Sequence, residues 1–345
     1  MNFAVILAGG IGARFWPIST VNTPKQILNI TGKLTPLQET IKRINTFIHT
    51  DNILVITNKG LLKEIKQQAL YLGIKNKNIL VEPSRKNTAL PIVWAAILLK
   101  RIDPSSNMII LPSDHFIEDT SNFNKTIKKA LKLADLGYLT TIGIKPSCPD
   151  TAYGYIKTKT PIKNVFKVDK FIEKPSLKKA KVFIKNKKFY WNSGIFVWKT
   201  QTIINEAKKH LPIMYNGLIK NKDKINLEKF WNDSKSISID YGIMEKTKNI
   251  ILIPASFKWI DIGSWDALDK VIKKDKDNNI IHAKSINIDS SNITVWSDDR
   301  IDKKRIIATI GLKDIIIVES KNAVLVCHKN NAQEVKKISG LIDKK

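Results

Sequence analysis

The sequence of 345 residues contains few cysteines and histidines and no long apolar run. Its two cysteines, Cys148 and Cys327, are too few for a disulfide framework, and the five histidines show no spacing typical of a zinc site. No apolar stretch approaches the ~18 residues that a membrane-spanning helix needs. The N-terminal residues lead almost at once into a predicted strand, so we expect no secretory signal. These absences favour a cytoplasmic protein without a membrane partner.

Acidic residues are also scarce, because 31 Asp and Glu oppose 58 Lys and Arg and leave a formal net charge of +27. A strongly basic chain can bind nucleic acid. Here the lysines are spread along the chain, and no helix-turn-helix or RNA-binding signature is present. We therefore expect no nucleic-acid partner, and we expect the positive field to help capture small anionic molecules.

The strongest functional signal lies in residues 4–26. An apolar run at Ala4–Ala8 is typical of a buried strand, and three glycines follow it between positions 9 and 12. Glycines at a strand exit can direct several backbone N–H groups at one phosphate. Arg14 and Lys25 then add two cations. The stretch predicts a cradle for a polyphosphate.

Two better-known phosphate-binding loops are excluded. No Lys-Ser or Lys-Thr follows the glycines, as the P-loop requires, and Phe15 stands where the dinucleotide fingerprint needs its third glycine. A glycine-rich turn after a strand can also be a simple tight connection. The added cations favour the phosphate-binding interpretation.

Predicted strands and helices alternate along the first part of the chain. Strands are predicted at residues 52–57, 79–82, 108–111 and 139–144, and helices at residues 36–48, 61–72 and 88–101. Further helices are predicted at residues 202–210 and within residues 213–235. This order predicts an α/β fold with a mixed, mostly parallel sheet flanked by helices, with ligands at the carboxyl ends of its strands.

The motifs resemble those of one enzyme family. The run Leu7–Pro17 and the following Pro24-Lys25-Gln26 resemble the signature of sugar-1-phosphate nucleotidylyltransferases, and in particular of the mannose-1-phosphate guanylyltransferase branch. The resemblance implies a Rossmann-like nucleotidyltransferase fold of the GT-A type. It also implies transfer of GMP from GTP to α-D-mannose 1-phosphate, with Mg²⁺ as cofactor and GDP-mannose and pyrophosphate as products. By the same resemblance, Arg14, Lys25 and Lys174 are the catalytic residues.

A second motif, Glu82–Ala89, resembles the family segment that lies beside the guanine base. Asn87 and Thr88 could instead cap the next helix. The chain has Arg85-Lys86 where the family has Gly-Arg, so the residues that read the base stay open. The nucleotide-binding residues implied by the resemblance are Leu7, Ala8, Gly9, Gly10, Gly12, Arg14, Lys25, Glu82, Pro83, Asn87, Thr88, Ser113 and Asp114.

Two aspartates far apart in the sequence are the predicted metal ligands. Asp114 follows an apolar strand within a Pro-Ser-Asp-His motif, and Asp261 lies in a Trp-Ile-Asp-Ile-Gly-Ser-Trp motif. Carboxylate oxygens suit Mg²⁺, although an isolated aspartate is more often a turn or helix cap. The resemblance implies that both hold Mg²⁺, while His115 is expected either to be structural or to support the metal ligands from behind.

The sugar-side residues implied by the resemblance are Tyr153, Gly154, Glu173, Lys174 and Asn192. Glu173 and Lys174 lie side by side in a strand predicted over residues 168–175, where neighbouring side chains point to opposite faces. Asp240, in a segment that also resembles the family, either caps a helix or shapes the sugar end.

The composition changes at Asn278, after which short strands alternate with polar turns. We expect a nucleotidyltransferase domain over residues 1–277 and a small β-rich, β-helix-like domain over residues 278–345 that ends in a helix at residues 331–342. This domain is expected to stabilise the protein or to support oligomerisation, such as a homodimer. No isomerase domain is expected.

Two alternatives stay open. One is a nucleotidylyltransferase of the same fold that uses another pair of substrates, such as glucose 1-phosphate with UTP or dTTP. The other is a protein that binds sugar nucleotides or RNA without catalysis, against which the intact set of Arg14, Lys25, Asp114 and Asp261 argues.

Overall fold

The computed structural model describes residues 1–10, 12–20, 23–30, 32–221, 224–301 and 305–342. Ile11, Val21 and Asn22 of the glycine-rich stretch, and residues 222–223 of the segment predicted to be helical, lie outside the described residues.

The chain divides into two compact units, and each is described by itself. Unit 1 comprises Met1–Gly9, Thr40–Ser113 and Ile117–Trp259, and unit 2 comprises Gly10–Glu39, Asp114–Phe116 and Ile260–Lys345. The domains 1–277 and 278–345 stay a prediction.

The first eleven strands include those that build the large sheet. They are β1 (Asn2–Leu7), β2 (Ile53–Asn58), β3 (Ile79–Glu82), β4 (Asn107–Pro112), β5 (His115–Ile117), β6 (Leu139–Ile144), β7 (Tyr155–Ile162), β8 (Val165–Ile172), β9 (Phe189–Lys199), β10 (Ile250–Pro254) and β11 (Trp259–Asp261). Within the described residues, nine of them form one sheet in the order β3-β2-β1-β4-β9-β6-β10-β8-β7, while β5 pairs with β11.

The predicted α/β class with a mixed sheet is confirmed. Strand β1 runs parallel to β2 and β4, β2 runs parallel to β3, and β6 runs parallel to β10. The other half departs from the mostly parallel sheet that we expected, since β9 is antiparallel to β4, β6 and β7. Strands β7 and β8 are joined by a tight turn at Lys163–Asn164, and a turn this short permits only an antiparallel pair.

Helices pack on and around the sheet of unit 1, and the last helix of the chain lies in unit 2. Their bounds are α1 (Pro36–Asn45), α2 (Leu62–Tyr71), α3 (Ala89–Ile102), α4 (Thr120–Asp135), α5 (Leu177–Lys185), α6 (Thr200–His210), α7 (Pro212–Lys220), α8 (Lys224–Asp233) and α9 (Val335–Ile342). Helix α3 is almost wholly apolar and is buried in the core of unit 1, as predicted. Among the described helices, none is both long and apolar enough to cross a membrane.

The predicted capping of α3 by the side chains of Asn87 or Thr88 is wrong. Thr88 occupies the N-cap position without a side-chain bond to the helix, and its hydroxyl accepts a hydrogen bond from the Ile239 N–H at 2.9 Å instead. Asn87 has a φ of 62°, and its side-chain oxygen accepts from the N–H of Thr88 at 2.9 Å. Both side chains hold the loop before α3, because tertiary contacts compete with the local cap.

Unit 2 contains the remaining strands, β12 (Ile280–His282), β13 (Ser285–Ile288), β14 (Thr294–Ser297), β15 (Ile307–Ile310), β16 (Ile315–Glu319) and β17 (Val324–His328). The strands pair in parallel on two faces, β12 with β14 and β14 with β16 on one face and β13 with β15 on another. This pairing gives the predicted β-helix-like coil. The helix predicted at residues 331–342 is only partly right, since a 3₁₀ segment at Lys329–Glu334 precedes α9.

Candidate active site

The exit of β1 is a crowded point in unit 1. An added Cβ on Gly9 would lie 2.8 Å from the carboxylate of Glu82, so a side chain there would force that carboxylate to move. The Asn58 side-chain amide donates to the Gly9 carbonyl at 3.3 Å. Glu82 ends β3 beside this point and is buried. These contacts place one carboxylate next to the first glycine of the loop.

The glycine-rich loop continues in unit 2. Gly12 has a φ of 67°, and an added Cβ there would lie 2.9 Å from the backbone nitrogen of Lys25. Gly10 faces open space, since no atom lies within 4 Å of an added Cβ, and its carbonyl accepts from the buried Gln26 side chain at 2.8 Å. The loop is therefore closed by Lys25 and Gln26, and Gly10 leaves its backbone accessible to a ligand.

Lys25 joins the two predicted metal-binding aspartates. Its ammonium lies 2.8 Å from the Asp114 carboxylate and 3.2 Å from the Asp261 carboxylate. It also donates to the Ile262 carbonyl at 2.7 Å, and only 9% of the Lys25 side chain is exposed. Two carboxylates predicted from distant motifs thus share one cation.

The charges in this cluster stabilise each other's ionised forms. Burial by itself lowers the pKa of Lys25, but the carboxylates of Asp114 and Asp261 outweigh it, and the pKa of Lys25 is raised. Burial likewise disfavours the ionised form of Asp114, yet the Lys25 ammonium lowers the pKa of that carboxyl. Lys25 and Asp114 therefore both stay charged at neutral pH.

Arg14 supplies a further cation in unit 2. Its Nε atom is buried and has no hydrogen-bond partner among the described residues. Its guanidinium faces Gly263, where an added Cβ would lie 3.6 Å from Nη1. An always-charged group with a buried donor left free is suited to bind an oxyanion.

Local packing explains why the two tryptophan-containing motifs lie together in unit 2. The indole N–H of Trp265 donates to the Trp16 carbonyl at 3.1 Å, and the Phe15 and Trp265 rings lie 5.0 Å apart. Pairing of β5 with β11 adds to this, because Asp114 immediately precedes β5 and Asp261 ends β11. The apolar neighbours of the motifs thus keep the two aspartates close to each other.

The predicted sugar-side residues form a second cluster, which lies in unit 1. An added Cβ on Gly154 would lie 2.5 Å from the carboxylate of Glu173, and the Gly154 carbonyl accepts from the backbone N–H of Asn192 at 2.8 Å. The Asn192 side-chain amide donates to Asp240 at 2.8 Å. Tyr153 packs on Trp191, with ring centroids 5.0 Å apart. The structure therefore brings Gly154, Glu173, Asn192 and Asp240 together.

The prediction that Glu173 and Lys174 point to opposite faces of a strand is wrong. Strand β8 ends at Ile172, and Lys174 has a φ of 42°, so both residues lie in the following turn. Lys174 is largely exposed and its ammonium lies 3.6 Å from the Glu173 carboxylate. A turn lets both side chains approach the same point, which a strand would prevent.

Three carboxylates of unit 1, those of Glu82, Glu173 and Asp240, lie where burial favours their protonated forms. Burial and then the neighbouring Asp240 raise the pKa of Glu173, and burial also raises the pKa of Asp240. The pKa of Glu82 is raised by burial to about 7, against the opposing effect of Arg85. Glu82 has no hydrogen-bond or ion-pair partner for its side chain among the residues that the structure describes.

The remaining predicted nucleotide residues line the strand ends of unit 1. The backbone N–H of Ala8 donates to the Ile56 carbonyl at 2.8 Å, and that of Ser113 donates to the Leu7 carbonyl at 3.2 Å. Pro83 follows the last residue of β3, and Ser113, which follows the last residue of β4, is buried. These backbone bonds keep the ends of the parallel strands aligned.

Three residues of these clusters were not among the predicted site residues. Gln26 belongs to the Pro-Lys-Gln triplet and could have been found from it, and Asp240 was left open between a cap and the sugar end. Asn58 carries no sequence signal, since it merely ends a strand. Its role as a support of Gly9 depends on the pairing of β1 with β2.

Two carboxylates that share one cation position can also hold a divalent metal. Among the described residues, no group of three His, Cys, Asp or Glu side chains could hold a metal by themselves. Asp114 and Asp261 therefore fit a hard cation such as Mg²⁺ only if water and phosphate oxygens complete its shell. That combination is what a metal bound together with a nucleotide requires.

The fold and the charged cluster together define an enzyme of the nucleotidyltransferase class. A family model described as Nucleotidyl transferase matches residues 3–278. Residues 283–340 match a model described as MannoseP isomerase/GMP-like beta-helix domain.

Similar proteins refine this assignment. A mannose-1-phosphate guanylyltransferase of Escherichia coli is 35% identical over 354 residues, which cover 98% of this chain and 75% of that protein. Xanthan biosynthesis protein XanB of Xanthomonas campestris is 35% identical over 342 residues, 97% of this chain and 72% of that protein. A crystal structure described as mannose-1-phosphate geranyltransferase from Thermus thermophilus superposes with a TM-score of 0.88 at 28% identity, covering 99% of both chains. The chain belongs to the mannose-1-phosphate guanylyltransferase family.

We expect Lys25→Met to destabilise the protein. It removes the cation between two carboxylates, and the free energy of unfolding should fall by about 1–3 kcal/mol, since both aspartates keep some contact with water. Urea denaturation at pH 7.5 measures this. The matched control is Lys59→Met, which breaks an exposed pair with Glu228 and should cost about 1 kcal/mol or less. Equal losses in the two variants would show that the cluster does not depend on Lys25.

Proposed function

We propose that this enzyme transfers GMP from GTP to α-D-mannose 1-phosphate and releases GDP-mannose and pyrophosphate. The observation that carries the proposal is the position of the Lys25 ammonium between Asp114 and Asp261, while the same lysine packs against Gly12 of the glycine-rich loop. Family membership supports the choice of substrates, and the relation to XanB supports a place in polysaccharide biosynthesis.

The reaction requires charge neutralisation more than acid–base catalysis. An oxygen of the sugar phosphate attacks the α-phosphorus of GTP, and the bond from that phosphorus to the bridging oxygen of pyrophosphate breaks. The attacking phosphate is already an anion at neutral pH, so no general base is needed. Two anions must instead be held in line while negative charge builds on the leaving group.

The cations of unit 2 meet this requirement. Arg14 has a buried donor free for a phosphate oxygen, and the backbone at Gly10 is open to the triphosphate. Lys25 is fixed by three oxygen acceptors and so stays charged close to the loop. We assign these three groups to the triphosphate, where preorganised donors stabilise the charge that develops.

The cluster of unit 1 suits a hexose phosphate. Glu173 and Asn192 offer an acceptor and an amide to the sugar hydroxyls, and Gly154 presents its backbone beside them. Lys174 is exposed and pairs only loosely with Glu173, so its ammonium can turn to the sugar phosphate. The pairing of Asn192 with Asp240 fixes the orientation of the amide.

We assign a divalent cation, Mg²⁺, to Asp114 and Asp261. When bound with the nucleotide, the metal supplies Lewis-acid stabilisation of phosphate oxygens. The two aspartates hold the metal, and Lys25, which contacts both of them, balances their charge without it.

Glu82 is suited to read the guanine base. An ionised carboxylate has two acceptor oxygens and no donor, and the adjacent N1–H and N2–H groups of guanine are two donors at matching spacing. Glu82 is buried beside Gly9, and no described residue satisfies its side-chain oxygens. This arrangement favours GTP over nucleotides that present an acceptor at either position.

A substrate panel tests the proposed reaction. Release of pyrophosphate is measured for GTP, ATP, UTP and dTTP, each with mannose 1-phosphate and with glucose 1-phosphate. The proposal requires the highest kcat/KM for GTP with mannose 1-phosphate. Preference for glucose 1-phosphate with UTP or dTTP would replace it by the same-fold alternative, and no release with any pair would replace it by a non-catalytic binding protein.

Asp114→Asn and Asp261→Asn should each lower kcat at least ~10²-fold, because each removes a charge that holds the metal at the reacting phosphates. Pyrophosphate release at saturating substrates measures kcat. Asp277→Asn, an exposed aspartate of unit 2, is the control with the same chemical change and should keep normal activity. Near-normal turnover in both test variants would remove the metal assignment.

Glu82 should make GTP binding dependent on pH. The pKa of Glu82 is about 7, so the carboxylate loses its charge as pH falls from 8 to 6, and KM for GTP should rise up to ~10-fold in that window. Glu82→Gln should abolish this dependence, raise KM for GTP about tenfold or more and narrow the preference for GTP over ITP, which lacks the 2-amino group. An unchanged GTP-to-ITP ratio in the variant would refute base reading by Glu82.

A further inference from the structure

Unit 1 contains a cavity beside helix α4. It has a volume of about 500 Å³ and lies between α4, the β7–β8 turn, β8, β9 and the end of β10. Small-molecule sites in proteins commonly have volumes of ~300–1,000 Å³. None of the predicted catalytic, nucleotide, sugar or metal residues lines this cavity.

The cavity carries positive charge only. Lys125, Lys129 and Lys163 line it, and no carboxylate does so among the described residues. Lys129 lies on α4, and its ammonium donates to the Asn164 carbonyl at 3.0 Å, which fixes it against the β7–β8 turn. Three cations around one concave surface favour an anionic ligand.

The floor of the cavity is aromatic. The rings of Phe166 and Tyr190 lie 5.8 Å apart at 39°, and the Lys145 ammonium lies 4.9 Å from the centre of the Tyr190 ring. Apolar atoms of Ile253 and Pro254 continue this surface. A flat or apolar ring of a ligand can pack here.

Tyr190 adds a polar group to this aromatic surface. The residue is only 8% exposed and lines the cavity, and its hydroxyl makes no hydrogen bond to a residue that the structure describes. The hydroxyl is therefore open to a water molecule or to a ligand. The Thr126 hydroxyl donates to the Asn122 carbonyl at 2.8 Å and accepts from the Ser256 hydroxyl at 3.1 Å, so these two oxygens add acceptors to the same wall.

We propose that this cavity is a second binding site for a small molecule that combines a phosphate group with a planar ring. The lysines bind the phosphate, the aromatic floor packs against the ring, and the Tyr190 hydroxyl pairs with a polar atom of the ligand. Tyr190 precedes Asn192 by two residues on β9. A ligand in the cavity would therefore contact the strand that also carries this proposed sugar contact. The proposal goes beyond the proposed reaction and does not depend on its substrates.

Phenyl phosphate is the probe, with inorganic phosphate and phenol as its separate parts. Isothermal titration calorimetry should show phenyl phosphate binding more tightly than either part. Lys129→Gln should weaken that binding about tenfold or more, as loss of a charged hydrogen bond does. Lys132→Gln removes the same charge from an exposed position on the same helix, α4, and should leave binding unchanged. Tyr190→Phe, which keeps the ring, should weaken binding to a smaller degree.

Two results would overturn the proposal. Equal weakening by Lys129→Gln and Lys132→Gln would show only general attraction of anions to a basic protein. Displacement of phenyl phosphate by saturating GTP would show that the probe occupies the nucleotide site instead. Binding that persists beside GTP and depends on Lys129 supports a separate site, whether or not the substrate panel confirms the proposed reaction.

Discussion

The arrangement of unit 2 depends on one ammonium group held between two carboxylates. Lys25 closes the glycine-rich loop against Gly12 and contacts both Asp114 and Asp261. Without this cation, two acidic side chains from distant parts of the chain would face each other across a short gap. The Lys25 ammonium therefore offsets the repulsion between the two carboxylates and holds them close enough to bind a metal together. It also places a positive charge beside the phosphate-binding loop.

Several glycines of the two clusters leave space that a neighbouring charged side chain occupies. At Gly9 and Gly154 a side chain would collide with the carboxylates of Glu82 and Glu173, and at Gly12 it would collide with Lys25. Each glycine thus lets a charged group approach the backbone closely. The resulting sites contain charged and polar groups within a few ångströms of backbone atoms, an arrangement suited to phosphates and sugar hydroxyls, which need many short polar contacts.

Several elements could be predicted because their cause is local. The apolar runs of β3 and β6 give the observed bounds, and α3 is buried as its composition indicates. Other features depend on pairing across the chain. The antiparallel course of β9, the turn at Lys174 and the contact of Thr88 with Ile239 each follow from neighbours that are remote in sequence. Local propensity therefore gave the wrong conformation or partner at Lys174 and Thr88.

The amino-acid sequence by itself determined the chemical groups of this protein: glycines at a strand exit, cations after them, and two aspartates within recognisable motifs. Only the tertiary structure decided which of these groups meet. It brought Asp114 and Asp261 onto one lysine, left the Glu82 side chain buried without a partner among the described residues, and formed a basic cavity around Tyr190. The physical reason is that motif residues are set by local chemistry, whereas distances between remote side chains depend on how the strands pair and pack.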